Sequence, residues 1–505
     1  MPRRFWWLTR LSLAAAVVLL AVGGLRVYWG HVLHREYEAA VAAIREAGEP
    51  IAFEDMLREP VPDSRNAVYY LREAVAAWPR VDDPTAGRPR LITETAWHRE
   101  PEQHADPVED NAAYLDDLEP ALGLLREAAA AEEADWGVQL TSPAYLMSLP
   151  HLAESRGYAR LIDDAAERAH DAGRHDLALE LVEHLLHLSD AVEAPPRTLM
   201  GRLVGISIRV MAVQRIERLT PTLEIGDAPG MASPEQVDRL IARLLDEETW
   251  RRGFYAAYVG ERWGSYDTVM AIYEGRISQA YVLGGASGGA FDVAWLRNLF
   301  IGPLFIREAT AMLHWHKAHL GAIEVAHTQP QYTAHMARHV PFDVDDLHAQ
   351  PWRYPLLGLL LPGLDSAVNT DFRLRTNQLL AAAALAIRRF DIDHGYRPAT
   401  LAELVPDYLP HIPRDPWAPG DEPIRYRPDG GLPTINPESW SPDPVDESDL
   451  RRPAILYSVG TNRQDHGGRL TYDADGTLDE RARYREGDQY FLLDAWPEPV
   501  REAGP

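Results

Sequence analysis

Residues 158–192 read YARLIDDAAERAHDAGRHDLALELVEHLLHLSDAV, and their spacing decides the fold class. Tyr158, Ile162, Ala165, Ala166 and Ala169 recur at three- and four-residue steps, the single apolar stripe of a helix with one face on a core. Asp171-Ala172-Gly173-Arg174-His175-Asp176 interrupts the stripe. Gly173 can supply the left-handed residue that ends a helix, and Asp176 can cap the next. Beyond the break, Leu181, Val182, Leu185, Leu188 and Val192 share one face. Residues 152–193 therefore predict an antiparallel helical hairpin.

Outward from this hairpin the pattern stays mostly helical, from about His31 to His394. Further helices are expected near 31–47, 64–78, 110–134, 197–219, 234–250, 292–326 and 364–394. Breaks fall at Pro79–Pro89, Pro195-Pro196, Pro221–Pro234, Gly284–Gly289 and Pro351–Pro362. The turn around Gly173 and Ala178 resembles that of a tetratricopeptide unit, but no fixed period surrounds it, so a solenoid is not expected. Residues 31–363 read as one long all-helical domain, or two that share an interface.

The 505 residues suggest about two to four domains at roughly 100–200 residues each. A hydrophobic content of 46% with 25% charged residues is that of a globular chain, not a disordered one. Fifty Lys and Arg against 76 Asp and Glu leave a net charge of -26. Such a chain lacks the basic surface a phosphate backbone requires, so no nucleic-acid partner is expected. Cysteine is absent, which excludes disulfides, thiolate metal sites, iron–sulfur clusters and a Cys nucleophile.

The N-terminus places the chain. Arg3, Arg4 and Arg10 flank Phe5, Trp6, Trp7 and Leu8, and Leu11 to Leu25 then carries no charge. Counted from Phe5, the apolar span approaches the ~20 residues a membrane helix needs. Aromatic residues at both ends (Trp6 and Trp7, Tyr28 and Trp29) match an interfacial belt, and the arginines in front predict a cytoplasmic N-terminus. A cleaved signal peptide competes, because the uncharged core is short. Against it, a helix-like pattern continues through Val27, Trp29, Val32 and Leu33 beyond the passable cleavage site at Ala21–Gly23. Residues 1–30 are thus an anchor or signal, with the membrane held through residues 5–29. Either reading exports residues 35–505, and an uncleaved anchor makes a single-pass inner-membrane protein with its bulk in the periplasm.

After His394 the composition changes. Prolines crowd the stretch from Pro398 to Pro453, and Thr400 with Glu403 spells a capping box for a short helix over Leu401–Leu404. Ile424–Tyr426, Ile455–Val459 and Gln489–Leu493 have strand character. Residues 364–505 are expected to form a small α+β domain, a long helix on a short antiparallel sheet. The fold class expected overall is mainly α.

Residues 379–428 and 453–493 resemble the head of the major pseudopilin of type II secretion. The resemblance is carried by Ala386-Ile387-Arg388-Arg389-Phe390 leading into Asp393-His394-Gly395-Tyr396-Arg397-Pro398. It continues through Leu401–Leu404, Pro413-Arg414-Asp415-Pro416-Trp417 and Ile424-Arg425-Tyr426, then Leu456-Tyr457-Ser458-Val459-Gly460 with Gly467-Gly468. It implies a long helix on an antiparallel sheet. A pseudopilin, however, carries its membrane helix and Gly–Phe peptidase site immediately before the head. Here about 350 residues intervene and the peptidase site is missing, so the head is an appended module. Ala47-Gly48-Glu49-Pro50 through Asn66-Ala67, Leu118–Leu125 and 149–219 also resemble a family of membrane-anchored helical bacterial proteins that end in such a head. That family implies architecture and location rather than chemistry.

The pseudopilin resemblance further implies calcium in the loop after Val459, with Asp465 and Asp488 as carboxylates and Asn462 where an acid is common. Asp473-Ala474-Asp475-Gly476 in the following insertion spaces acids as calcium loops do. A solvated acidic loop is the competing reading, and Arg463 sets a cation inside the turn. Gly285-Ala286-Ser287-Gly288-Gly289 spells a nucleophile elbow but lacks the strand and parallel sheet that motif needs, so it reads as a loop. Glu167/His170 and Glu324/His327 each spell Glu-x-x-His, the pattern of a di-metal bundle. In a Glu-rich chain with 19 histidines such pairs also arise by chance. His335 and His339 near Asp343, Asp345 and Asp346 could hold a surface zinc, or form a polar loop edge. Trp97, Trp263, Trp315 and Trp352 could stack on glycan, or pack in the core. No Walker loop, dinucleotide fingerprint or His-Glu-x-x-His helix occurs.

These observations lead to a non-enzymatic, membrane-tethered envelope scaffold or adaptor with an envelope protein as partner. The rival is an envelope hydrolase or glycan-active enzyme, which would show a deep pocket with two facing acids of perturbed pKa.

Overall fold

Helix α1, Trp6–Glu46, is one unbroken rod of 41 residues, about 60 Å at 1.5 Å per residue. Its first part is exposed apolar surface as far as Tyr28, whereas Leu33, Val41 and Ile44 are buried against the rest of the protein. The computed structural model describes residues 6–83, 88–91, 107–195, 197–277, 294–328, 354, 356–360, 363–441, 445–446, 449–479 and 487–495.

The body follows as α2 (Ala67–Ala76), α3 (Pro107–Ala130), α4 (His151–Asp171), α5 (His175–Val192), α6 (Leu199–Leu219), α7 (Pro234–Leu245), α8 (Glu247–Tyr273) and α9 (Ala294–Thr328). Side-chain caps start several of them. Asn66 accepts the Val68 amide, Thr198 the Gly201 amide and Ser233 the Gln236 amide, with Pro234 at the first helical position. The hairpin of α4 and α5 forms as its sequence predicts, with Gly173 at φ 72° between them. Asp176 does not cap α5. It lies within the first turn, where its amide donates to the Gly230 carbonyl at 3.1 Å and its carboxylate takes Arg174 Nε at 3.2 Å. The helix expected over 234–250 is two helices that meet at Asp246. Extended backbone there stops α7, and the Asp246 carboxylate accepts the Thr249 amide at 3.1 Å to begin α8.

Helix α10, Gly363–His394, is the spine of the protein. Ala367, Val368 and Phe372 join a core with Val41 and Ile44 of α1, Phe254 of α8 and Leu313 of α9. Leu380 through Ile387 and Phe390 belong to a second core, shared with α2 to α7 on one side and Leu456, Phe491 and Leu493 on the other. Ala381 to Ala384 are fully buried, and their small side chains let helices and sheet approach α10 closely from opposite sides. Buried polar bonds add to the contact. Glu217 of α6 accepts the Leu492 amide at 2.7 Å, and Arg375 donates to the terminal carbonyls of α7 at Leu244 (2.8 Å) and Leu245 (3.0 Å).

Against α10 lies an antiparallel sheet ordered β3–β5–β7, formed by Arg425–Arg427, Ile455–Ser458 and Gln489–Leu492. These are the three segments read as strands from sequence. Thr400 and Glu403 form the capping box of the Leu401–Leu404 turn, which is 3₁₀. Two further strands, β4 (Leu432–Ile435) and β6 (Arg469–Tyr472), pair in parallel beside the sheet. In the stretch read as a break at Pro79–Pro89, β1 (Arg80–Asp83) and β2 (Arg88–Leu91) pair antiparallel.

Candidate functional site

Asn462 and Asp465 stand in the loop after Val459, and Asp488 reaches it from just before β7; Asp488 is buried and Asp465 is exposed. Asp488 accepts the amides of His466 (3.2 Å), Gly468 (2.7 Å) and Arg469 (3.3 Å). Burial pushes its carboxyl above the ordinary range, and those three amides work against the shift. Asp465 accepts the Gly467 amide at 2.8 Å and pairs with Arg425 Nε at 3.0 Å. Asn462 accepts the Gln464 amide at 3.0 Å, and its Nδ2 lies 2.9 Å from His466 Nε2. Arg463 stands in the left-handed region at φ 59°, and so does Gly460, where an added Cβ would sit 2.0 Å from the Gly487 carbonyl oxygen. In the insertion Asp475 accepts the Thr477 amide of its own turn at 2.9 Å. Calcium takes six to eight oxygens directed at one point. A donor set of two carboxylates, one held by three amides and the other by a guanidinium, does not fit it. Among the described residues no group of three or more His, Asp or Glu is placed to hold a metal ion.

The body carries a cleft of about 840 Å³. Its walls are the 56–61 segment, the end of α3 with residues 131–140, and the end of α5 with Ala194, Pro195 and Arg197. Asn66 builds one wall. Its Nδ2 donates to the Asp135 carbonyl at 2.9 Å while its Oδ1 accepts the Asp135 amide at 2.9 Å. The Asp135 carboxylate then accepts the Gly137 amide at 2.8 Å and the Val61 amide at 3.3 Å, and Trp136 Nε1 donates to the Ala191 carbonyl at 2.8 Å. The opposite wall is fixed from below, because α8 crosses the Arg197 carbonyl at Gly260, where a Cβ would lie 1.7 Å from that oxygen. Much of the lining is alanine, from Ala67, Ala128, Ala131, Ala134, Ala191 and Ala194 among others. Asp190 is engaged by Arg209 and by Arg243 (2.8 Å), and Glu133 by Arg65. Burial first, and then the Arg243 charge, lower His187 to about 4, so it is neutral at pH 7. Arg58 and Arg197 make no ion pair among the described residues. The cleft thus offers an alanine floor with a charged rim. Among the described residues that line it, no nucleophile stands against a base.

The acids whose pKa burial raises lie elsewhere. Burial raises Asp171, Glu183, Glu261, Glu308, Asp415 and Asp488, and none of the six stands among the charges acting on another. Glu308 accepts the amides of Leu356 (2.8 Å) and Leu357 (3.1 Å) at the start of the Leu357–Leu360 turn. Asp415 ties its Pro-Arg-Asp-Pro-Trp segment to the sheet, accepting Ser458 Oγ (2.6 Å) and the amides of Val459 and Trp417 (3.0 Å each). After burial, the Glu167 charge raises Asp171 further while Arg215 and Arg168 oppose the shift, and Arg239 and Arg243 oppose that of Glu183.

The remaining sequence motifs resolve into structure where they are described. Glu167 pairs with Arg215 at 3.1 Å, and His170 bonds Thr222 and His175. Trp263 and Trp315 are core residues. The 285–289 loop, His335, His339, Asp343, Asp345, Asp346, Trp97 and Trp352, and the side chains of Glu324 and His327, lie outside the described residues. The cleft had no sequence signal beyond the proline break at Pro195-Pro196. Comparison with known proteins finds no family model, no curated protein and no solved structure that matches the chain.

Proposed function

We propose that this protein is a non-enzymatic scaffold or adaptor of the bacterial envelope. It is tethered to the inner membrane by a single pass through residues 5–29 and holds the bulk of its chain on the periplasmic side for a protein partner. The observation that carries the reading is α1, one helix apolar and exposed through Tyr28 and packed into the protein from Leu33 onward. With no linker between these two parts, the body is mounted directly on the bilayer at a fixed height. Arg3, Arg4 and Arg10 at the front of the apolar span support a cytoplasmic N-terminus. Glu308, Asp415 and Asp488, each held by backbone amides, support a structural rather than a hydrolytic use of these groups. The resemblance of 379–428 and 453–493 to a pseudopilin head belongs to the same proposal, as a module for contact with an envelope partner.

Two measurements test it. The intact chain should stay with membranes through alkaline carbonate washing, and a reporter active only outside the cytoplasm should be active when fused after Pro505. Release of a shortened soluble chain, or activity of a cytoplasm-only reporter, would overturn the tether or its sidedness respectively.

A further inference from the structure

Helices α8 and α9 run beside α1, and their contacts fix the directions. Glu49, just past the end of α1, meets Tyr255 Oη of α8 at 2.6 Å and pairs with Arg262, while Tyr37, further toward the membrane, meets Tyr266 of α8. Helix α8 therefore descends toward the apolar half of α1 as its numbers rise. Helix α9 climbs away from it. Pro303 packs at Gly30, where an added Cβ would lie 3.7 Å from Pro303 Cγ, and Lys317 acts electrostatically on Glu49 at the other end.

Helix α9 does not begin at Pro303. It begins at Ala294, nine residues earlier, which is about 13 Å of helix at 1.5 Å per residue. Projected along α1 past Pro303, a proline inside α9, that length reaches the register of residues 21–29, the outer end of the apolar span and its interfacial Tyr28 and Trp29. The sequence there is Ala294-Trp295-Leu296-Arg297-Asn298-Leu299-Phe300-Ile301-Gly302, with Arg297 as its single charge. By sequence this helix start is apolar apart from Arg297, in a chain of net charge -26, and its backbone begins beside the exposed apolar part of α1, as an element entering lipid would.

We propose that the first two turns of α9, Ala294–Gly302, enter the same bilayer as α1, so that the chain holds the membrane by a crossing helix and a second helix dipping in from the outer side. This rests on the tether reading above, and the test separates the two. The chain has no cysteine, so single-site nitroxide labels report without background. The full-length protein is reconstituted in vesicles of phosphatidylethanolamine and phosphatidylglycerol, labelled at Leu296→Cys, Phe300→Cys, Leu19→Cys in the anchor, or Trp440→Cys, which is 84% exposed and in the C-terminal section. Circular dichroism identical to the parent's admits each variant, and two α9 positions guard against one failing to fold. Labels at 296 and 300 should match the one at 19, with strong collision broadening by oxygen and loss of broadening by a water-soluble nickel chelate. The label at 440 should show the reverse. Aqueous behaviour at 296 and 300 with lipid behaviour at 19 overturns the proposal and leaves the tether standing, whereas aqueous behaviour at 19 overturns the tether. Labels at 296 and 300 shielded from both reagents, with spin–spin coupling between copies, would mean that a second copy covers α9, and would overturn the proposal as well.

Discussion

Asp371 of α10 is the acceptor on which three helices converge. It is fully buried and takes Arg202 of α6 through Nη2 (2.5 Å) and Nε (3.2 Å), and Trp250 Nε1 of α8 at 2.9 Å. Arg202 is 1% exposed and reaches Glu193 through Nη1 at 2.5 Å. Replacing Asp371 with Leu strands most of a buried guanidinium, which costs about 3–5 kcal/mol. It also orphans the Trp250 N–H, adding about 1 kcal/mol or more. Glu193 still neutralises part of Arg202, so we expect a net loss of about 4 kcal/mol. In Arg202→Met/Asp371→Leu both buried charges are gone and Glu193 keeps Arg209 at 3.9 Å, so most of the loss should be recovered. Guanidinium unfolding of the detergent-solubilised full chain, followed by circular dichroism, measures all three proteins. A single variant within about 1 kcal/mol of the parent, or a double variant no more stable than Asp371→Leu alone, would refute the reasoning.

Ala383→Leu should cost at least about 1–3 kcal/mol by overpacking, since α10 is enclosed on both sides there; a smaller loss in the same unfolding assay would mean that its neighbours yield. Asp488→Ala should cost about 1–3 kcal/mol by leaving amides without an acceptor, while calcium and chelator give superimposable melts of the parent; a calcium-dependent rise in melting temperature would show that the loop reorganises around the ion. Burial raises Glu308 from its ordinary 4.5 to about 7. The folded state then holds its proton more tightly than the unfolded state, so this residue's contribution to stability declines as pH rises from about 4.5 to 7 and is flat above. Thermal melts of the parent and Glu308→Gln across that range should differ by an amount that changes with pH, and a constant difference would contradict the assignment.

Elements were legible where local chemistry speaks. Gly173 announced the hairpin turn, Thr400 and Glu403 their cap, and the Ile455 and Gln489 strands their β-branched and aromatic runs. The α7–α8 junction was not, because Asp246 breaks the helix without a Gly or Pro and the apolar stripe runs on through it. Strands β4 and β6 escaped for another reason: four residues each, with Pro433 inside one, they exist only because a distant segment pairs with them. The same holds for the cleft, whose walls come from residues 56–61, 131–140 and 187–197, and for Arg202 with Asp371, separated by 169 positions. The sequence set Asn462 and Asp465 in the loop after Val459 and Asp488 before the last strand. What sequence could not show is the direction of their oxygens, set by which amides the turn leaves unpaired.

The enclosure of α10 sets a timetable for the chain's own making. Helices α2 to α7 are synthesised and delivered well before residues 380–390, yet those residues fill their core, and the strands that cover the far side of α10 come later still. Until then the body presents an open apolar trough where α10 will lie. A chain emerging from N-terminus to C-terminus must keep that trough from neighbouring chains for the time it takes to add more than a hundred further residues. Holding factors at the site of emergence, rather than any late rearrangement of the finished protein, are therefore what its yield should depend on most.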